Sequence, residues 1–231
     1  MIVPVKETGR RHLKGLSLLY EDPDVIVVAK PFGLLTIGTA HDKSRTVHTI
    51  LNEYVRKGNP KSRNRAYVVH RLDRDTSGIL IFAKSELAKN SLQQQWAETE
   101  KMYLAVVHGR VFPSVGTISS YLEENKALRV FSVTVPGVGK LAQTGYTTLR
   151  ESRGLTLLAI KLLTGRKHQI RVHFADRKNP VVGDKKYGKE GDGHQWLALH
   201  AQSLTFTQPV TGERLTFTTQ IPEYFIKLLG R

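Results

Sequence analysis

Short apolar runs separated by polar, turn-forming residues recur along nearly the whole chain. Leu16 to Tyr20 and Val25 to Ala29 read as a strand pair joined by Glu21-Asp22-Pro23-Asp24, a turn with proline and Asx chemistry. From Ser44 to Lys57 the spacing changes to a helical one. Val47, Ile50, Leu51, Tyr54 and Val55 share one face there, and Gly58 with Pro60 ends the helix. Residues 58–65 are polar and basic. Ala66 to Val69 and Ile79 to Ala83 are two further strand-like runs. Ser85 can cap a helix reaching about Thr99, with Leu87, Leu92 and Trp96 on its buried side. Lys101 to His108 predicts a strand. Residues 116–150 alternate and turn like antiparallel ribbons, with a bend at Pro136-Gly137-Val138-Gly139. Leu155 to Leu163 is a strongly apolar strand, and Arg166 to Asp176 a short helix that stops before Pro180. Leu197 to Phe206, Arg214 to Thr219 and Pro222 to Leu229 predict two strands and a closing helix. Strands mixed with a few scattered helices, and no internal repeat, predict an α+β fold.

Composition narrows the classes of function. With 231 residues the chain suffices for one domain or two intimately joined lobes, and we expect a single domain over 1–231. It contains no cysteine, which removes disulfides, thiolate metal sites and cysteine nucleophiles and suits a reducing compartment. The N-terminus is too polar after Val5 for a signal sequence, and the longest apolar runs are strand-sized. A soluble cytoplasmic protein is expected, with residues 1–15 as a flexible basic segment. The 35 Lys and Arg against 20 Asp and Glu leave a formal charge of +15, which points to a polyanionic partner. No long basic amphipathic helix is visible, so a membrane is the poorest of the candidates. The positive charges cluster at Arg56, Lys57, Lys61, Arg63 and Arg65, and again at Arg166, Lys167, Arg171, Arg177 and Lys178, as a phosphate-tracking groove would require.

The most informative segment is Val69-His70-Arg71-Leu72-Asp73-Arg74-Asp75-Thr76-Ser77-Gly78. It sets carboxylates among arginines at a turn between two apolar strands. That is a costly arrangement beside a core, used either for chemistry or as a surface ion-pair turn. Physical reasoning alone does not choose between Asp73 and Asp75. Other chemistries fit poorly. His168, His173, His194 and His200 lack the i, i+4 pairing of a helical zinc motif, so no metal is expected. Gly137-Val138-Gly139-Lys140 is followed by Leu141 where a phosphate loop needs Ser or Thr. Ser77 has no strand-to-helix elbow around it, which makes it a poor nucleophile.

His70 to Gly78 resembles the signature of the RluA-type pseudouridine synthases. Lys101-Met102-Tyr103-Leu104-Ala105-Val106-Val107-His108-Gly109 resembles that family's second block. Leu163-Thr164-Gly165-Arg166-Lys167-His168-Gln169-Ile170-Arg171-Val172-His173 resembles its third. Weaker echoes are Tyr20 to Asp22, Lys30 to Leu34, Gly183-Asp184-Lys185-Lys186-Tyr187-Gly188 and Leu199-His200-Ala201, so the likeness runs from about Ser17 to the end of the chain. The resemblance implies a mixed, largely antiparallel central sheet with flanking helices and a central active-site cleft. It implies conversion of uridine in structured RNA, ribosomal or transfer, to pseudouridine without a cofactor, on a flipped-out base in a loop or bulge. It makes Asp73 the essential carboxylate, as nucleophile, as base at C2′ or as electrostatic partner. Arg171 becomes its ion-pair partner, and Tyr103 the ring against the uracil. His70, Arg71, Arg74, Thr76, Arg166, His168 and Gln169 are the expected RNA contacts, although structural roles for the first three are equally open. Many relatives carry a small S4-type RNA-binding domain ahead of the catalytic one. Only about sixteen residues precede the first strand here, so recognition is expected to fall to the catalytic domain, acting as a monomer. Two other readings stay open: a non-catalytic RNA-binding module on the same fold, and a metal-dependent nuclease using Asp73 and Asp75.

Overall fold

The computed structural model describes residues 12–13, 15–38, 45–133 and 138–230. In chain order the elements are β1 (His12–Leu13), β2 (Leu16–Glu21), β3 (Val25–Lys30), α1 (Val47–Arg56), β4 (Tyr67–Val68), β5 (Ser77–Ala83), α2 (Glu86–Gln94), β6 (Glu100–His108), β7 (Val115–Glu124), β8 (Val130–Val133), β9 (Lys140–Ser152), β10 (Leu155–Leu162), α3 (Gln169–Asp176), β11 (Leu199–Thr207), β12 (Arg214–Thr218) and α4 (Glu223–Leu229). This is an α+β protein whose strand pairs are antiparallel in the ladders described below. The N-terminal segment up to residue 11, the start of the first helix at Ser44 and the Pro136-Gly137 half of the bend lie outside the described residues. Among the described residues no helix is long and apolar enough to cross a membrane. The chain forms two compact units, Met1–Glu100 with Ala201–Thr219, and Lys101–His200 with Gln220–Arg231.

In the first unit the strands run β1-β2-β3-β5-β11, with β12 on β11 and β4 on the end of β5. Strands β3 and β5 are apolar on both faces because a helix covers each side. Ile79, Ile81 and Ala83 face Ala88 and Leu92 of α2, in one cluster with Leu204, Phe206, Leu215 and Phe217. On the other face the His48 ring of α1 lies parallel to Phe82 at 6.4 Å. Helix α1 starts where the Thr46 hydroxyl accepts from the Thr49 amide and Thr49 returns a bond to the Thr46 amide, a capping box. It ends on Lys57 in the left-handed region, φ 50°. Ser85 caps α2 as expected, accepting from Ala88 N at 3.1 Å. The cap sets the helix phase, however, so that Ala88 and Leu92 point inward while Leu87 is 84% exposed. The expected burial of Leu87 is therefore wrong. The α-helix also ends at Gln94, in a 3-10 turn over Gln95–Ala97. The strand expected over Ala66 to Val69 shrinks to Tyr67–Val68, because the chain leaves the sheet there to form the aspartate turn.

The second unit is an antiparallel sheet in the order β6-β10-β9-β7-β8. Helix α3 packs on it through Val172, in a cluster with Leu122, Val130, Ala142 and Tyr187. This helix begins three residues later than the sequence pattern predicts. The buried Gln169 side chain accepts from the Arg166 amide at 3.0 Å and from the Thr164 hydroxyl at 2.7 Å, closing a tight loop. His168 is consequently left-handed, φ 54°, and no helix can start through it.

One close approach in the first unit gives a sharp test. Gly78 has φ +115°, and a Cβ there would lie 2.2 Å from the carbonyl oxygen of Ala201. Gly78→Ala is expected to cost about 3 kcal/mol or more in urea unfolding, from positive-φ strain plus overpacking. Gly212→Ala has a similar sign of φ, +71°, and no atom within 4 Å, so it should cost only about 1 kcal/mol. Equal losses would show that the approach to Ala201 is not what requires glycine.

Candidate active site

The Asp73 turn is held by side chains rather than by a ladder. After β4, Val69 O accepts from Gln93 Nε2 of α2 at 3.3 Å. The His70 ring accepts the Ile81 N–H on Nε2 at 3.3 Å and packs against Trp96 with centroids 4.4 Å apart. Leu72 is buried, and both of its backbone groups meet the buried Thr36 hydroxyl, which donates to Leu72 O at 2.8 Å and accepts from Leu72 N at 3.2 Å. Thr76 N closes the turn on Asp73 O at 3.2 Å. Asp73 itself is half-buried, with exposed Arg71 and Arg74 on either side of its Leu72-Asp73 step. Arg74 Nε reaches Asp75 Oδ1 at 3.3 Å, with Arg74 exposed and Asp75 half-exposed, an interaction of small stabilising value. His70, for which RNA contact and a structural role are equally open in the sequence, thus bonds to β5 through its ring, and the Thr76 main chain closes the turn.

Under the turn lies Lys30, which the sequence shows only as the first residue of the weak echo Lys30 to Leu34. Lys30, at the end of the apolar strand β3, is 2% exposed. Its ammonium donates to three main-chain carbonyls, Pro31 O at 3.0 Å, Leu34 O at 2.7 Å and Arg74 O at 2.8 Å. Burial pushes this amine down to about 7, against the opposing pull of the Asp75 and Asp73 carboxylates. Three carbonyl dipoles satisfy all three N–H donors, which is what lets a lysine sit in the core. The available signal was a lone cation closing the otherwise apolar run Val25 to Ala29.

In the second unit, Tyr103 lies half-buried on β6 opposite Ile160 of β10. Arg171 lies on α3, 7% exposed, and its guanidinium is gripped by the buried Asp184: Nε to Oδ2 at 2.7 Å and Nη2 to Oδ1 at 2.8 Å. Asp184 Oδ1 also accepts from the amides of Lys186 and Tyr187, at 2.9 and 3.0 Å. Burial raises the Asp184 carboxyl, but the Arg171 bond and charge and the two amides outweigh it and hold it below the usual carboxylate range. The Tyr187 ring covers one side of Arg171, 5.1 Å from guanidinium carbon to centroid. Its hydroxyl meets His168 Nδ1 at 2.7 Å and Val130 N at 3.0 Å. Gln169, expected at the RNA, has both amide hydrogens and both acceptor positions engaged within the protein, on Gln143 O, Thr144 Oγ1, Thr164 Oγ1 and Arg166 N. Arg166 is exposed, with Nε on Leu141 O at 3.0 Å. Sequence reading noted Gly183 to Gly188 only as a faint echo. A buried aspartate between glycine and two lysines was the clue to the grip on Arg171.

The histidines weighed as metal ligands have other partners. His173 is fully buried between the Thr144 hydroxyl at 2.9 Å and the Ser120 hydroxyl at 3.0 Å. Among the described residues no group of three His, Cys, Asp or Glu side chains could hold a metal ion.

A model of the RNA pseudouridylate synthase family matches residues 24–176, a span that includes the Asp73 turn, Tyr103 and Arg171. The chain is 37% identical over 218 residues to the uncharacterized RNA pseudouridine synthase YlyB of Bacillus subtilis (strain 168), covering 93% of this chain and 72% of that one. It is 36% identical over 232 residues to ribosomal large subunit pseudouridine synthase D of Xanthomonas campestris pv. campestris, covering 93% and 69%. Among solved structures, human RNA pseudouridylate synthase domain containing 1 superposes with a TM-score of 0.74 at 27% identity, covering 95% of this chain and 88% of that one. Fold and sequence blocks together define an RNA-modifying isomerase. The chain belongs to the RNA pseudouridylate synthase family, whose reaction is the isomerisation of uridine in RNA to pseudouridine.

The buried histidine of α3 predicts an acid-sensitive fold. Burial pushes His173 down to about 4 from an ordinary 6.5, with Asp176 pulling weakly the other way. Between those values the unfolded chain binds the extra proton, so the contribution is complete above about pH 6.5 and is lost as the pH falls toward 4. It is worth on the order of 3 kcal/mol. His173→Gln keeps a donor and an acceptor for the two hydroxyls and should flatten the fall in melting temperature across that window. An unchanged slope would show that His173 does not titrate in this way.

Proposed function

We propose that this pseudouridine synthase acts on a loop or bulge uridine of ribosomal RNA, with Asp73 as its essential carboxylate, Arg171 as the partner of that carboxylate and Tyr103 against the uracil. The observation that carries this reading is the Asp73 turn. Lys30, Thr36 and Gln93 fasten its main chain from three directions, while Asp73 itself sits half-buried at its bend. Likeness to a ribosomal large subunit pseudouridine synthase D supports the choice of ribosomal RNA. Arg71, Arg74 and Arg166, all exposed, are the cations best suited to phosphates beside the flipped base. The same reading has the enzyme working in the cytoplasm, as a monomer and without a cofactor.

In this reading the N1–C1′ bond opens and leaves the sugar carbon electron-poor, next to an ionised carboxylate that attacks it, takes the C2′ proton or offsets its charge. The uracil turns, C5 bonds to C1′, and the C5 proton departs past the Tyr103 hydroxyl while N1 gains one, so atoms and charge balance. Asp184 holds Nε and Nη2 of Arg171. An arginine pinned on one edge suits this task better than lysine, because its planar fork cannot swing away. Pairing lowers the intrinsic nucleophilicity of a carboxylate, so positioning must supply much of the rate.

Asp73→Asn should abolish pseudouridine formation, read by carbodiimide–primer extension on unmodified ribosomal RNA. It should leave affinity for that RNA within about tenfold, roughly 1.4 kcal/mol. Full turnover would remove Asp73 from the mechanism. EDTA should leave activity intact, whereas a loss restored by added metal would favour the nuclease chemistry. Asp184→Asn and Arg171→Met should each depress kcat, and the double variant should be no worse than Arg171→Met alone. Additive losses would mean that Asp184 does not act through Arg171.

A further inference from the structure

Two arginines of the second unit flank the Tyr187 ring, and the charges of Lys167 and Lys186 act within the same group. Arg129, in the β7–β8 turn, places its guanidinium carbon 5.0 Å from the ring centroid, and Arg171 lies at 5.1 Å. Lys186 and Arg129 brace each other's loops: Arg129 Nη1 donates to Lys186 O at 2.8 Å, and Lys186 Nζ donates to Leu128 O at 2.6 Å. Lys167 follows on the loop before α3 and pairs with Glu124 of β7. The buried Asp184 already matches Arg171. That leaves Arg129 and Lys167 exposed and Lys186 half-buried, with Glu124 as the carboxylate beside them.

The arrangement is electrostatically unfavourable by itself. Burial lowers the Lys186 ammonium first, and the charges of Lys167, Arg171 and Arg129 lower it further. Glu124 is held below the carboxylate range by its bond to Lys167, with the charges of Lys167, His168 and Lys186 adding to it. Main-chain bonds hold two of these like charges at fixed positions, so the cluster is not merely a solvated face on which long side chains drift apart. Gathering cations in this way is useful when a polyanion releases its counterions on docking.

We infer that Arg129, Lys167 and Lys186 form a binding site for a backbone phosphodiester of the substrate RNA, with Glu124 holding Lys167 in place until the phosphate takes over. This deepens the proposed function and rests on its RNA substrate. It gives the exposed rim of the Arg171 framework a task distinct from the chemistry: fixing the register of the RNA through its backbone.

The test is a titration of the full chain with a fluorescein-labelled RNA hairpin bearing an unmodified uridine loop, across a sodium chloride series. Lys167→Gln removes a cation for which the structure records no main-chain bond, and it should reduce the slope of log affinity against log salt by about 0.7 to 0.9. Glu124→Gln should have the opposite sign, tightening binding about two- to fivefold at low salt. Lys227→Gln, an exposed residue of α4 paired with Glu223, should leave the slope unchanged. An unchanged slope in Lys167→Gln, or weaker or unaltered binding in Glu124→Gln, would each overturn the site. Wild-type protein that fails to bind the hairpin would remove the RNA reading itself, and the site with it.

Discussion

A buried ammonium, bonded to main-chain carbonyls, holds the Asp73 turn in shape. Lys30 bridges the loop after β3 and the main chain at Arg74, one residue beyond Asp73, through carbonyls alone. The turn departs from the sheet between β4 and β5, so its backbone cannot rely on strand pairing. Thr36, Gln93 and Lys30 supply bonds that a ladder would otherwise provide, and His70 returns one to β5. Lys30 is anchored in β3 and Gln93 in α2, while Thr36 lies in the loop after β3. The aspartate is therefore positioned by the packed body of the first unit rather than by its own short loop.

The second unit solves a similar problem with opposite charge. Arg171 is almost inaccessible, and a buried guanidinium is tolerable only when matched and hydrogen-bonded. Asp184 supplies the charge, two amides hold Asp184, and Tyr187 covers the face. Removing either member of the pair leaves a buried charge, a loss of about 3–5 kcal/mol. Each charged group proposed for the chemistry thus has a less visible counterpart behind it: Lys30 behind Asp73 and Asp184 behind Arg171.

That asymmetry explains what could be read beforehand. Strands such as Val25–Lys30 and Leu155–Leu162 announce themselves by unbroken apolar runs, and Ser85 and Gly58 mark helix ends through local chemistry. The family blocks made the fold class and the family legible. Phase and tertiary hydrogen bonding were not legible. Leu87 looked inward until the Ser85 cap set the register of α2, and Gln169 resembled a ligand-binding amide until its four partners were seen. Lys30 and Asp184 showed only as members of weak echoes, because a single charge within an apolar or glycine-rich stretch shows no period. Their partners, Arg74 and Arg171, stand 44 and 13 residues away.

The first unit is also discontinuous. Leu204, Phe206, Leu215 and Phe217 complete a core begun by Val25 and Val27, and Gly78 closes onto Ala201. On a ribosome the aspartate turn emerges early, yet the strands that finish its support leave the exit tunnel only near the end of translation. Until then an unfinished apolar face waits through the synthesis of about a hundred residues, which makes the nascent chain, rather than the finished enzyme, the form most dependent on chaperones.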